Sequence, residues 1–333
     1  MNSLTIVMYH YVRELRKSRF PGIRGLELAL FKEQLAYLRK HYVIVSAESC
    51  VEALRDGTPL PPNAALLTFD DGFVDHYVSV FPILDESGVS ACFFPPGQAI
   101  VERRILDVHK IHFILAAGTD PTALLDTIFR ELDSHRKEYE LPANDYYIDA
   151  FAVANRFDTK EVALIKRLLQ TELPAALRGR LVDVLFERFV AEDQDVFARE
   201  LYMSVDQLRH LSRRGMTIGA HGWTHRWMDS LTAEEQEREI DQSLDFLTSI
   251  TGSTENWVMS YPYGGYNGAT TKILSSKRCA MAFTTEVNLA ELVPDKSLIL
   301  PRIDTNDLPR DAEASPNGWT SRIVAPAFAS ALG

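Results

Sequence analysis

Two clusters in this chain have residue types and spacings suited to hydrolytic or metal chemistry. The apolar run Ala65-Leu66-Leu67-Thr68-Phe69 ends in two adjacent carboxylates, Asp70 and Asp71, followed by Gly72. Neighbouring residues at a strand end point in different directions, so one acid can hold a cation while the other serves a substrate. The same residues also make a common turn with an Asp helix cap. Far downstream, Met216-Thr217-Ile218-Gly219-Ala220 leads into His221-Gly222-Trp223-Thr224-His225. Imidazoles four apart can face one metal if the backbone between them turns helically, and a carboxylate from elsewhere would complete three protein ligands with positions left open. Taken alone, such a pair is more often core or surface decoration.

Two later segments carry weaker signals. Trp257-Val258-Met259-Ser260-Tyr261-Pro262-Tyr263-Gly264-Gly265 runs from a strand into a rigid turn. That turn either aims the Tyr263 backbone N–H at a developing oxyanion or is an ordinary Pro-Gly connection. In Leu298-Ile299-Leu300-Pro301-Arg302-Ile303-Asp304, Arg302 either pairs with a catalytic carboxylate or makes a surface ion pair.

The elements that must position these groups follow from periodicity. Short β-type runs at Leu4–Tyr9, Tyr42–Val45, Ala64–Phe69, Ala91–Phe94, Met216–Gly219, Trp257–Tyr261, Met281–Thr284 and Leu298–Pro301 alternate with helical patterns at Phe31–His41, Val74–Ser87, Thr232–Ile250 and Gly268–Lys277. This alternation predicts an α/β fold with a largely parallel sheet, in which reactive groups gather at the C-terminal ends of strands. Thr232 with Glu235 forms a capping-box signature. From Arg104 to Leu201 the pattern is helical, as in Glu161–Leu169 and Leu181–Val190, and reads as an α-helical insertion. The expected organisation is therefore 1–103 and 202–310 as two parts of one domain, 104–201 as the insertion, and 311–333 as an irregular tail.

The 333 residues, 46% hydrophobic and 24% charged with 17 Gly and 16 Pro, exclude collagen-like and disordered readings. A net charge of -11 disfavours nucleic acid and anionic lipid as partners. Cys50, Cys92 and Cys279 form no CxxC pair, which argues against a zinc-thiolate site or a disulfide framework. The N-terminus lacks a signal-like apolar stretch and no run approaches the roughly 20 apolar residues of a membrane span. The expectation is a cytoplasmic protein without a transmembrane segment.

Thr68-Phe69-Asp70-Asp71-Gly72, His221-Gly222-Trp223-Thr224-His225 and Tyr261-Pro262-Tyr263-Gly264, in this order, resemble the first three motifs of the NodB-type polysaccharide deacetylases, carbohydrate esterase family 4. Met8-Tyr9-His10-Tyr11-Val12 and Leu300-Pro301-Arg302-Ile303-Asp304 are similar to elements of its exopolysaccharide-deacetylase branch. The resemblance covers residues 1–103 and 202–310. It implies a distorted, incomplete (β/α) barrel of about seven units and metal-dependent removal of N-acetyl groups from an amino sugar. By position, Asp70 would be the general base and Asp71, His221 and His225 the ligands of a divalent metal, foremost zinc, with cobalt, nickel or manganese as alternatives. The Tyr263 N–H would face the oxyanion, and Trp223, Tyr263 and Tyr266 could stack on a sugar ring.

Two departures from the family pattern concern protons. The family's late Leu-x-His motif is absent, since no histidine follows His225, and His10 becomes the candidate acid, with Asp70 acting twice as the other option. Ser260 stands where many members carry an arginine that orients the base, a charge Arg302 could supply. The insertion is expected as a lid or a homo-oligomer surface. Alternatives on the same fold are a deformylase or other C–N amide hydrolase, and a carbohydrate-binding pseudoenzyme.

Overall fold

The run Ala64–Asp70 is buried at every position, as expected of a strand with neighbours on both edges and covered faces. In the computed structural model, which describes residues 3–154 and 158–322, it is β2 of a parallel ring. Strand β1 (Ser3–Tyr9) pairs with β2 from Leu4↔Ala64 to Tyr9↔Phe69. Next come β3 (Cys92–Phe94) and β4 (Thr217–Ile218), each parallel to its predecessor. A single bridge, Ala220↔Met259, leads to β5 (Val258–Ser260), which pairs with β6 (Met281–Phe283). Another single bridge, Phe283↔Leu300, precedes β7 (Ile303–Asp304), which returns to β1 in parallel. Seven short parallel strands thus close on one another, with two narrow seams, so their C-terminal ends share one rim.

The strand expected at Leu298–Pro301 is reduced to the Leu300 bridge, and regular pairing resumes only at Ile303. Pro301 has no N–H to donate to a ladder. Two-residue segments Val43–Ile44, parallel to β2, and Ala290–Glu291, antiparallel to β1, extend the opposite rim. Leu4, Ile6, Leu66, Phe94 and Phe283 pack together inside the ring, while on its outer face Tyr9 stacks on Phe69 (4.9 Å) and Phe69 on Phe93 (5.1 Å), with Phe31 edge-on to Tyr9.

Helices α1 (Leu28–His41) and α2 (Ala47–Asp56) follow β1. The helix expected at Val74–Ser87 is a π-helical turn, His76–Val80, followed by α3 (Phe81–Glu86). Helix α4 (Gly97–Val101) follows β3. Among the described residues, 3–14, 25–104 and 199–322 form one compact unit; 15–24 and 105–198 form a second. The second unit holds helices α5 (Asp107–Ala116), α6 (Pro121–His135), α7 (Asn144–Phe151), α8 (Lys160–Arg167) and α9 (Ala175–Phe189), and the start of α10 (Gln194–Leu201). Its core includes Phe113, Phe186 and Phe197, and Phe20 inserts there edge-on to Phe113 and Phe197, which is why Leu15–Arg24 joins it. Buried Lys110 pairs with Asp183.

Back in the first unit, α11 (Val205–Arg213) precedes β4, α12 (Ala233–Thr251) begins with the expected Thr232–Glu235 capping box, and α13 (Gly268–Ser276) links β5 to β6. Residues 318–322 are helical, contrary to the irregular tail expected from the sequence. Thr320 is buried there and accepts hydrogen bonds from the Tyr37 and Tyr42 hydroxyls. The remainder of that tail, 323–333, lies outside the described residues. The three cysteines are buried, and no helix among the described residues is long and apolar enough to cross a membrane.

Candidate metal and catalytic site

The shared rim brings together residues from strands far apart in sequence. Asp71 follows β2, and His221 and His225 follow β4; one ligand atom from each lies within 4.8 Å of the others. The two histidine Nε2 atoms are 3.2 Å apart, and Asp71 Oδ1 is 3.5 Å from the first and 3.4 Å from the second. Donors about 2.0–2.2 Å from one tetrahedral ion are necessarily about 3.4 Å apart, so this set fits a divalent cation. His221 Nδ1–H donates to the Ser260 carbonyl at 2.7 Å, which fixes the tautomer and leaves Nε2 facing Asp71. Burial opposes charge on His221, but a hydrogen bond donated by its protonated form to Asp71 and the charges of Asp70 and Asp71 outweigh it and raise its pKa.

The backbone between the histidines is not helical, as the metal reading of their spacing required. Gly222 (φ +68°) and His225 (φ 60°) are both left-handed, and this reversal turns the second imidazole back toward the first. Asp71 (φ 73°) and Tyr263 (φ 57°) share the conformation. For residues with a Cβ it costs on the order of 1–3 kcal/mol each and collects at functional sites.

Asp70, the last residue of β2, points to different partners. Arg302 NH1 and NH2 donate to its two oxygens at 2.9 and 2.7 Å. The guanidinium also donates to Thr68 Oγ1, Ser260 Oγ and the Thr284 carbonyl, so its five donors all find acceptors while it is fully buried. Ser260 Oγ–H completes the set on Asp70 at 3.0 Å. Burial alone would raise the Asp70 pKa, but the charge of Arg302, then His221, the Arg302 hydrogen bonds and His10 hold it down at about 2. His10 Nε2 lies 3.9 Å from Asp70, on a partly exposed ring. Beneath it, His76 in the π-helical turn donates Nε2–H to the His10 carbonyl at 2.7 Å. Burial lowers the His76 pKa to about 4 against that hydrogen bond.

The aromatic residues divide. Tyr263 packs edge-on to His225, with centroids 4.7 Å apart, and stacks flat on Trp227 at 4.5 Å. Trp227, absent from the sequence-based candidates, is 47% exposed. Trp223 is instead wedged in the wall: a Cβ on Gly97 would lie 2.4 Å from its ring, and Phe246 meets it edge-on. Tyr266 stacks on Tyr261 and lines a separate cleft with Asn267, Thr271 and Leu298. Neither occupies the position expected of a sugar platform. Glu239, also absent from the candidates, sits on α12 and accepts hydrogen bonds from the loop that carries the histidines.

The polysaccharide deacetylase family profile matches residues 57–128 and 137–282. The chain belongs to this family. The match runs through much of the helical insertion, which the motif resemblance had left outside. A segment of 99 residues is 40% identical to the poly-beta-1,6-N-acetyl-D-glucosamine N-deacetylase of Escherichia coli K12, covering 29% of this chain and 14% of that protein. Among solved structures, the deacetylase PplD of Streptococcus pyogenes in complex with acetate aligns at a TM-score of 0.56 with 16% identity over 97% of both chains. IcaB from Ammonifex degensii aligns at 0.55 with 16% identity over the same shares. At these identities the two structures establish the NodB-type α/β fold.

Proposed function

We propose that this chain hydrolyses the N-acetyl group of an amino sugar, on an oligosaccharide or polysaccharide, with Asp71, His221 and His225 holding a divalent cation. What carries the reading is the convergence, in a chain of this family, of a complete Asp/His/His donor set with a second, arginine-clamped carboxylate one residue away. Two imidazoles and one carboxylate favour zinc over magnesium or calcium, with cobalt, nickel and manganese as weaker fits. Once bound, the cation supplies Lewis acidity toward the acetyl carbonyl and lowers the pKa of water.

The protein's own groups then have separate tasks. Asp70, kept ionised and immobile by Arg302, takes the proton from attacking water as general base. Arg302 favours the ionised form of Asp70, and His10, 3.9 Å away, is the side chain placed to take its proton onward to the departing amine. The Tyr263 backbone N–H, in the loop whose ring lies against His225, is the oxyanion donor. The exposed face of Trp227, backed by Tyr263, offers a sugar ring the apolar platform expected of Trp223 and Tyr266.

The name of the E. coli relative selects the first substrate, an oligomer of β-1,6-linked N-acetylglucosamine. Wild-type protein should release acetate from it, stop on treatment with a chelator and recover with zinc. Formate release from N-formyl analogues in place of acetate would assign a deformylase. Binding of the sugar with no acyl product under any metal would leave a carbohydrate-binding protein.

A further inference from the structure

The loop between the two histidines is gripped on both its donor and acceptor sides. On one side Glu239 Oε2 accepts the backbone N–H groups of Trp223 and Thr224, both at 2.8 Å, and Oε1 accepts the Thr224 hydroxyl at 2.5 Å. On the other, the N–H groups of Gly97 and Gln98, at the start of α4, donate to the carbonyls of Gly222 and Trp223 at 3.3 and 2.9 Å. Trp223 fills the space left by the missing Cβ of Gly97. Glu239 is buried and touches neither Asp71 nor the histidine nitrogens in any of these contacts.

We infer that Glu239 is a positioning residue for the cation: its carboxylate holds the loop in the left-handed turn that aims His225 at His221, and so sets metal affinity. The left-handed conformation at His225 is unfavourable for an unconstrained chain. Charge-assisted hydrogen bonds to three donors offset that cost before any ion arrives. Without them the loop relaxes, and an entering cation must rebuild the turn at the expense of its own binding energy. Residues that orient metal ligands typically change metal affinity about 10–100-fold when removed.

The inference rests on the reading of Asp71, His221 and His225 as a cation site, and one experiment separates the two. Zinc dissociation constants are measured on purified protein by competition with a chromophoric chelator, alongside the thermal midpoint of the metal-free form. Failure of wild type to bind zinc would overturn the metal reading itself. With wild type binding, Glu239→Ala should bind zinc 10–100-fold more weakly. Glu239→Gln, which can still accept both N–H groups and donate to Thr224, should stay within a few-fold of wild type. A folded Glu239→Ala with a lowered midpoint but unchanged zinc affinity shows a purely structural role and overturns the proposal. Should that variant not fold, Glu239→Asp, with its carboxylate withdrawn by one methylene, takes its place under the same criterion.

Discussion

Arg302 grips Asp70 through both carboxylate oxygens from 232 residues further along the chain, and both groups are buried. Breaking one side of such a pair leaves an uncompensated charge in the barrel, worth about 3–5 kcal/mol. Arg302→Met should lower stability by that amount in urea denaturation. Adding Asp70→Asn should restore part of it, because the stranded charge goes too. Strictly additive losses in the double variant would show that the two residues are not energetically coupled.

The adjacent acids should separate metal from turnover. Asp70→Asn should retain one equivalent of zinc and lose about 10²–10⁴-fold in kcat, the usual contribution of a positioned base. His221→Ala and Asp71→Asn should lose the metal, as read by elemental analysis after dialysis. Full metal content in His221→Ala would remove that residue from the ligand set.

His10 has a distinct signature as an acid. His10→Gln should slow hydrolysis of the amide about 10²-fold or more, yet leave cleavage of p-nitrophenyl acetate nearly intact, since that leaving group departs without a proton. Equal losses on both substrates would assign His10 another task.

Metal-free protein should weaken in mild acid through His76. Its folded pKa of about 4 lies below the usual 6.5, so the unfolded chain binds the extra proton. Stability is therefore complete above about pH 6.5 and falls as pH drops toward 4, by about 3 kcal/mol for this group. Asp70, also depressed, adds a loss between about pH 4 and 2. His76→Gln keeps a donor for the His10 carbonyl, so its stability deficit relative to wild type should shrink from pH 7 to pH 4. A deficit constant with pH would place the acid sensitivity elsewhere.

Trp227 and Trp223 should behave oppositely. Trp227→Ala should raise KM about 3–10-fold with kcat little changed, in keeping with about 0.5–1.5 kcal/mol of stacking. Trp223→Ala should lower the melting temperature by opening a cavity beside Gly97. A raised KM for Trp223→Ala in a fully stable protein would return it to the substrate surface.

Six of the seven ring strands were legible because each is an apolar run bounded by helical periodicity, the last being displaced from Leu298–Pro301 to Ile303–Asp304. The Asp71, His221 and His225 cluster was legible because strand ends in such folds share a rim. The conformation that makes them converge was not legible. Left-handed backbone at Asp71, His225 and Tyr263 falls on residues that carry no glycine-like signal. Glu239 was hidden among Glu234, Glu235 and Glu237, although its register with Gln236, Ile240, Ser243, Phe246 and Leu247 places it on the buried face of α12. Arg302 was ambiguous because a cation beyond a strand reads equally as surface or interior until the ring closes around it. Trp227 is two positions past a motif boundary, where spacing gives no direction.

The guanidinium that steadies Asp70 reaches it from beside β7, two staves round the ring, while Ser260, on a stave across from it, contributes only a hydroxyl. In a closed cylinder every wall looks onto one common axis, so a helper charge can change its point of attachment without the acid it serves having to move. An anchor placed on another strand can therefore preserve the geometry at the mouth, and a reading confined to one strand would miss the charge that here arrives from Arg302.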